Sequence, residues 1–243
     1  MNVTLSALYD VIDGTWPAKR RFDDGPWRFR EGDGGGKRVS ATSALGEVGE
    51  ADIDAAEIVM RDMGQERLFM LRAGDDALDA RLSARGYALV DPVKVYACDT
   101  ALLTDVAIPR VTIFTIWEPL AIMAEIWAQG GVGPARLRVM DRAAGPKTAL
   151  LCRMDEKPGG VAFVAMQDNV AMVHAVETLP RQRRKGVARW IMRGAAFWAA
   201  EQGADTLAVI CTDANEAANA LYASLGFGVV GHYHYRVKPE KTS

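Results

Sequence analysis

The sequence predicts a mixed α/β fold built on a mixed sheet, in two successive units of similar order. Three observations carry that reading. Between Thr148 and Thr178 three strand-like segments follow one another through links too short for a crossover, so they pair antiparallel. After them helix, strand, helix and strand alternate as far as Val237. Part of that order recurs earlier: a shift of 140 positions lays Gly86-Tyr87 on Gly226-Phe227, Ala77 on Ala217 and Ala80 on Ala220.

In chain order, the glycine-rich stretch Glu31–Lys37 reads as a hairpin turn; it lacks the Lys-Ser/Thr ending of a nucleotide phosphate loop. Asp52–Met63 reads as a helix, Arg67–Arg72 as a short apolar strand and Asp75–Arg85 as a second helix. Gly86 opens a strand through Ala97, and Thr100–Pro109 is the natural linker. In Trp117–Gln129, Leu120, Met123, Ala124 and Trp127 recur at helical spacing. Gly130–Pro134 is a loop, followed by a mixed stretch to Pro146. Thr148–Met154 and Val161–Met166 are strands joined by the turn Asp155–Gly160; Asp168-Asn169 turns into the strand Val170–Thr178. Val187–Gln202 is a helix with Val187, Ile191, Ala195 and Trp198 on one face and Gly203 at its end. Thr206–Cys211 is apolar throughout, as a strand buried on both faces is. Asn215–Leu225 is a helix stopped by Gly226, and Phe227–Val237 is the last strand.

Composition bounds the function. The 243 residues, 49% hydrophobic and 25% charged, make an ordinary globular chain. Lys plus Arg is 29 against 31 for Asp plus Glu, without the basic excess of a nucleic-acid-binding protein. No apolar run approaches the roughly 18–20 residues that span a bilayer. The opening MNVTLSALYD lacks the charged and apolar regions of a secretion signal. Cys98, Cys152 and Cys211 are odd in number and far apart, which fits reduced thiols rather than a disulfide framework or metal site. A cytoplasmic protein with no membrane association and no metal is expected.

The informative segment precedes and opens the helix at Val187. The first amides of a helix have no intrahelical partner, and its dipole favours negative charge there. Gly186 and Ala188 let an anion approach the backbone, while Arg181, Arg183, Arg184, Lys185 and Arg189 surround it with positive charge. A solvated basic loop is the alternative reading of the same residues.

The run Arg183-Arg184-Lys185-Gly186-Val187-Ala188 resembles the Arg/Gln-x-x-Gly-x-Gly/Ala signature of the GCN5-related N-acetyltransferase (GNAT) family. Downstream, Asn215, Ala218, Tyr222 and Gly226-Phe227 match that family's Asn-x-x-Ala-x-x-x-Tyr-x-x-x-Gly-Phe pattern. The resemblance covers about Arg110–Pro239 and implies an acetyl-CoA-dependent N-acetyltransferase acting on an amine, the pyrophosphate lying at Arg183–Arg189. It implies that Val170–Thr178 and Thr206–Cys211 splay apart, backbone groups of Val176, Glu177 and Thr178 pairing with the pantetheine arm. Tyr222 becomes the general acid, since a phenol of pKa about 10 stays protonated at neutral pH, and Asn215 a cofactor contact or an N-cap. His174 and Glu177 are the candidate bases. Strand alternation sets them on opposite faces unless a bulge intervenes. His232 and His234 either line the acceptor pocket or lie on the surface. Cys152 and Cys211, in apolar strands, make poor nucleophiles, so direct amine attack is expected.

The first half departs from the pattern. Leu82 stands at the position of Tyr222, and the acidic Leu45–Glu50 replaces the basic loop. The expected organisation is a degenerate GNAT-like domain over 1–105, packing on a catalytic domain over 106–243, with Tyr9, Trp16 and Trp27 at the interface or in a core. A non-catalytic acyl-CoA sensor is the alternative function. The acceptor and the oligomeric state, monomer or homodimer, are left open.

Overall fold

The computed structural model describes residues 3–239. In chain order it forms α1 (Leu5–Thr15), β1 (Arg20–Asp24), β2 (Trp27–Glu31), β3 (Ser43–Ala44), α2 (Glu50–Asp62), β4 (Leu68–Leu71), α3 (Asp76–Ala84) and β5 (Ala88–Asp99). There follow β6 (Ile113–Ile116), α4 (Ala121–Gln129), α5 (Pro134–Arg142), β7 (Lys147–Met154), β8 (Lys157–Gln167) and β9 (Val170–Thr178). The chain ends with α6 (Val187–Glu201), β10 (Thr206–Thr212), α7 (Glu216–Ser224) and β11 (Gly228–Val237).

Two compact units result, and their division departs from one at residue 105. The first holds the chain up to Pro17, Val95–Cys211 and Glu216–Val230; the second holds Ala18–Lys94, Thr212–Asn215 and the chain from Gly231 on. The buried stripe of α1, Leu8, Val11 and Ile12, packs on β8 and β9. His234–Val237 of β11 pair antiparallel with Leu68–Leu71 of β4.

In the first unit the strand order is β5-β10-β9-β8-β7-β6, with β6 to β9 antiparallel and β10 parallel to β9. The turn between β7 and β8 is only Asp155-Glu156, both at positive φ, so Lys157–Gly160 are strand rather than the expected turn. Val187, Ile191, Ala195 and Trp198 of α6 are buried against a core that includes Leu150, Ala162, Val164, Val173, Leu207 and Val209. Each fully buried Val, Leu or Ile contributes about 1.5–3 kcal/mol, which holds the start of α6 over the sheet. The segment expected to be a linker is anchored: Thr100 Oγ1 donates to the carbonyls of Ala204 and Asp205, and Leu103 is buried. Helix α5 was not expected from sequence, because only Val139 and Met140 of its nine residues are buried, too few for a visible period; Gly133 and Pro134 at its start were the available signal.

In the second unit β1, β2 and β3 form an antiparallel sheet. Its hairpin turns at Gly25-Pro26; Glu31–Lys37, expected to be the turn, instead leads from β2 into a short 3₁₀ turn. Trp27 is a core residue here, packed with Phe29, Ile53, Met60, Phe69, Leu82 and Tyr87. Asp79 takes a bidentate bond from Arg236 at 2.8 and 3.0 Å and lies 2.7 Å from His234 Nε2. The Arg236 guanidinium, with His234, holds its carboxyl down at about 2. His234 is therefore held by a contact with Asp79 within this unit, and His232 is exposed.

The internal recurrence has a local counterpart. Gly86 and Gly226 both follow helices in the left-handed region. Tyr87 donates its amide to Leu82 O at 3.0 Å as Phe227 does to Tyr222 O at 3.1 Å, the Schellman closure in both places.

Candidate active site

Strands β9 and β10 pair in parallel from Val170 opposite Thr206 to Val173 opposite Val209, and there the pairing ends. Strand β9 continues to Thr178 and β10 to Thr212, so the two diverge where sequence placed the splay. On its other side β9 bulges. His174 pairs with Phe163 and Glu177 with Val161, leaving Ala175 and Val176 opposite the single residue Ala162. Phe163 and Val161 share a face, so the extra residue turns Glu177 onto the face of His174. Ala175 sits at φ 48°, a conformation costing an L-residue about 1–2 kcal/mol. Trp127 of α4 donates Nε1–H to Ala175 O at 2.8 Å, a bond that offsets about 1 kcal/mol of it.

Glu177 is half-buried beneath the turn after α4. A Cβ on Gly130 would lie 2.3 Å from Glu177 Oε2, so the glycine leaves the space the carboxylate occupies. Arg136 of α5 reaches the neighbouring carbonyl of Gly131. Burial raises the Glu177 carboxyl above the usual carboxylate range, while the charges of Arg183 and Arg136 oppose the rise.

His174 is 3% exposed. Its Nε2 lies 2.8 Å from Thr15 Oγ1, and the rings of Trp16 and Phe163 stand 5.0 and 6.2 Å from it. Its Nε2 is thus engaged inside the core, next to α1. Trp16, one of the expected interface residues, is buried in this same cluster, and Tyr9 is buried as well.

The loop before α6 is shaped for an anion. Arg184 and Gly186 are both left-handed, at φ 65° and 87°. The first bond of α6 runs from Trp190 N to Gly186 O at 3.0 Å, so the amides of Val187, Ala188 and Arg189 have no intrahelical acceptor. Val187 is buried, Gly186 and Ala188 are half-exposed, and Arg183, Arg184, Lys185 and Arg189 are exposed. Lys185 is tied by a 2.6 Å ion pair to Asp155 of the β7–β8 turn. Beneath the loop lies Gln182, a buried residue the sequence did not single out. Its Nε2 donates to Met154 O at 3.3 Å, and its Oε1 has no partner among the described residues.

On α7, Tyr222 is 4% exposed, its ring centroid 5.5 Å from Tyr96 and 5.8 Å from Phe227. Burial, reinforced by Cys211 and Tyr96, raises its phenol well above the usual 10, so it is protonated throughout the physiological range. Asn215 is exposed immediately ahead of α7 and falls within the second unit. All three cysteines are buried thiols. Burial pushes Cys98 up to about 12 and Cys152 up to about 11. Among the described residues no group of three or more His, Cys, Asp or Glu is placed to hold a metal, and no helix is long and apolar enough to cross a membrane.

The model of the acetyltransferase (GNAT) family matches residues 118–227, the stretch that contains the bulge, the loop and Tyr222. This segment is a GNAT-family acetyltransferase domain. The uncharacterized N-acetyltransferase YobR of Bacillus subtilis is 24% identical over 92% of this chain and 94% of its own length. A GCN5-related N-acetyltransferase from Kribbella flavida has the same fold, with a TM-score of 0.70 at 18% identity over 98% of this chain and 97% of that one. A functionally unknown conserved protein from Staphylococcus epidermidis superposes with a TM-score of 0.71 at 11% identity, over 98% of both chains. The matched segment carries the splay, the bulge and the basic loop.

Proposed function

We propose that this protein is an N-acetyltransferase that moves an acetyl group from acetyl-CoA to a primary amine by direct attack in a ternary complex. The observation that supports this best is that β9 and β10 stop pairing with one another beyond Val173 and Val209, in the unit whose α6 begins with amides that have no intrahelical acceptor. In this reading the amides of Val187, Ala188 and Arg189, beside Gly186, hold the diphosphate of the donor. Arg183, Arg184, Lys185 and Arg189 add positive charge. The pantetheine arm follows the β9 backbone at Val176, Glu177 and Thr178 as an added strand would, and Asn215 contacts the donor. Glu177 takes the proton of the acceptor ammonium. The freed amine attacks the thioester carbonyl, the C–S bond breaks, and Tyr222 gives its proton to the departing sulfur. Burial of all three thiols, with Cys98 and Cys152 held protonated, supports a route without an acyl-enzyme intermediate.

The same reading makes the enzyme cytoplasmic, with a degenerate GNAT-like unit ahead of the catalytic one, since Leu82 replaces the acid and Glu47 and Glu50 would repel a pyrophosphate. Release of free thiol from acetyl-CoA with a panel of amines tests the whole proposal; acetyl-CoA binding with no thiol release from any amine would favour a sensor. Glu177 is tested by pH. Its base form is lost as pH falls through a pKa above the usual 4.5, so kcat/KM drops on that acid limb. Glu177→Gln removes the limb and lowers kcat by about a hundredfold. A full acid limb in that variant would assign the base elsewhere.

A further inference from the structure

We infer that Thr15 and His174 form a latch that positions the β9 bulge, with His174 acting as a hydrogen-bond donor rather than as a base. Thr15 Oγ1 lies 2.6 Å from Val11 O and 2.8 Å from His174 Nε2. A carbonyl offers no hydrogen, so the first contact is a bond only if the threonine hydroxyl donates to it. That hydroxyl has one hydrogen. The second contact is then a bond only if His174 carries its proton on Nε2 and donates to Thr15. The rings of Trp16 and Phe163 flank the imidazole and hold it in that plane.

The next residue, Ala175, is the left-handed position of the bulge, and its carbonyl is held from the other direction by Trp127. The strand is therefore pinned on both sides of the kink, by α1 at His174 and by α4 at Ala175. Two residues further on stands Glu177. Thr15 and His174 are positioning residues: they set the backbone of Val176–Thr178 and the aim of the Glu177 carboxyl without touching substrate. This use of the latch rests on the role given to Glu177 above, whereas the latch itself does not.

Four variants test it in the full chain, read by amide hydrogen exchange at 175–178 and by turnover. Thr15→Val and His174→Leu keep shape and remove the bond. They are expected to exchange at least tenfold faster there and to lose about tenfold in kcat. Thr15→Ser keeps the hydroxyl, and His174→Gln keeps an N–H donor while abolishing any basic nitrogen. Both are expected within threefold of wild type in both measurements. A nitrogen NMR spectrum of the wild-type protein should show His174 protonated at Nε2. If His174→Gln is as inactive as His174→Leu, proton transfer returns to His174 and the latch reading is overturned. Unchanged exchange in Thr15→Val overturns it too. Should Glu177→Gln keep full activity while the exchange pattern holds, the latch stands and the assignment of the base alone is lost.

Discussion

At the scale of single residues, Tyr222 occupies a position where a phenylalanine would pack equally well against Tyr96 and Phe227. What the phenol adds is one oxygen, kept protonated by burial. Tyr222→Phe therefore separates packing from chemistry. It is expected to lower kcat by about a hundredfold, to leave acetyl-CoA affinity unchanged in calorimetry and to alter stability by less than about 1 kcal/mol. Turnover equal to wild type would remove the tyrosine from the reaction. His174 teaches the opposite lesson. A strand histidine three residues before Glu177 looks like a base in sequence, yet its Nε2 is engaged by Thr15, 159 residues away.

At the scale of elements, the loop and first turn of α6 are the most local construction in the molecule. Gly186 has room for a side chain, since the nearest atoms to an added Cβ are those of Trp190 at 4.0 Å. The backbone, at φ 87°, is what demands glycine. Gly186→Val would turn this residue toward negative φ and redirect the amides that follow. Acetyl-CoA is expected to bind at least tenfold more weakly by calorimetry, and the variant to be about 1–2 kcal/mol less stable. Undiminished affinity would mean the diphosphate lies elsewhere. The basic loop, the glycine and the helix after it were all legible, because they are contiguous and each follows from a rule about helix ends. The bulge in β9 was legible only as a condition. Its position depends on pairing with β8 and on the Trp127 bond, neither of which leaves a local pattern.

At the scale of the molecule, the units exchange their ends, and this changes what a stable fragment must contain. The first unit takes Leu8, Val11, Ile12 and Trp16 from the start of the chain, all buried. Burial of four such side chains contributes about 6–12 kcal/mol on an area basis, comparable with the whole stability of a domain. A fragment of residues 106–243 is therefore expected not to fold, although it contains every candidate site residue. Circular dichroism melts of the fragment beside the full chain would check this. A cooperative melt within a few degrees of the full chain would mean that α1 is dispensable.

The order of strands and helices from Lys147 onward, the apolar face of α6, the open helix start at Val187 and the place of Tyr222 were determined by the sequence itself. Each depends on residues within a turn or two of one another, where period and capping rules act. The tertiary structure alone decided that α1 belongs with the later strands, that β11 closes on β4, that Glu177 shares a face with His174, and that His174 is tied to Thr15. Those outcomes depend on strand register and on contacts across more than a hundred residues, and a local pattern of apolar and polar residues does not specify which distant partner it will meet.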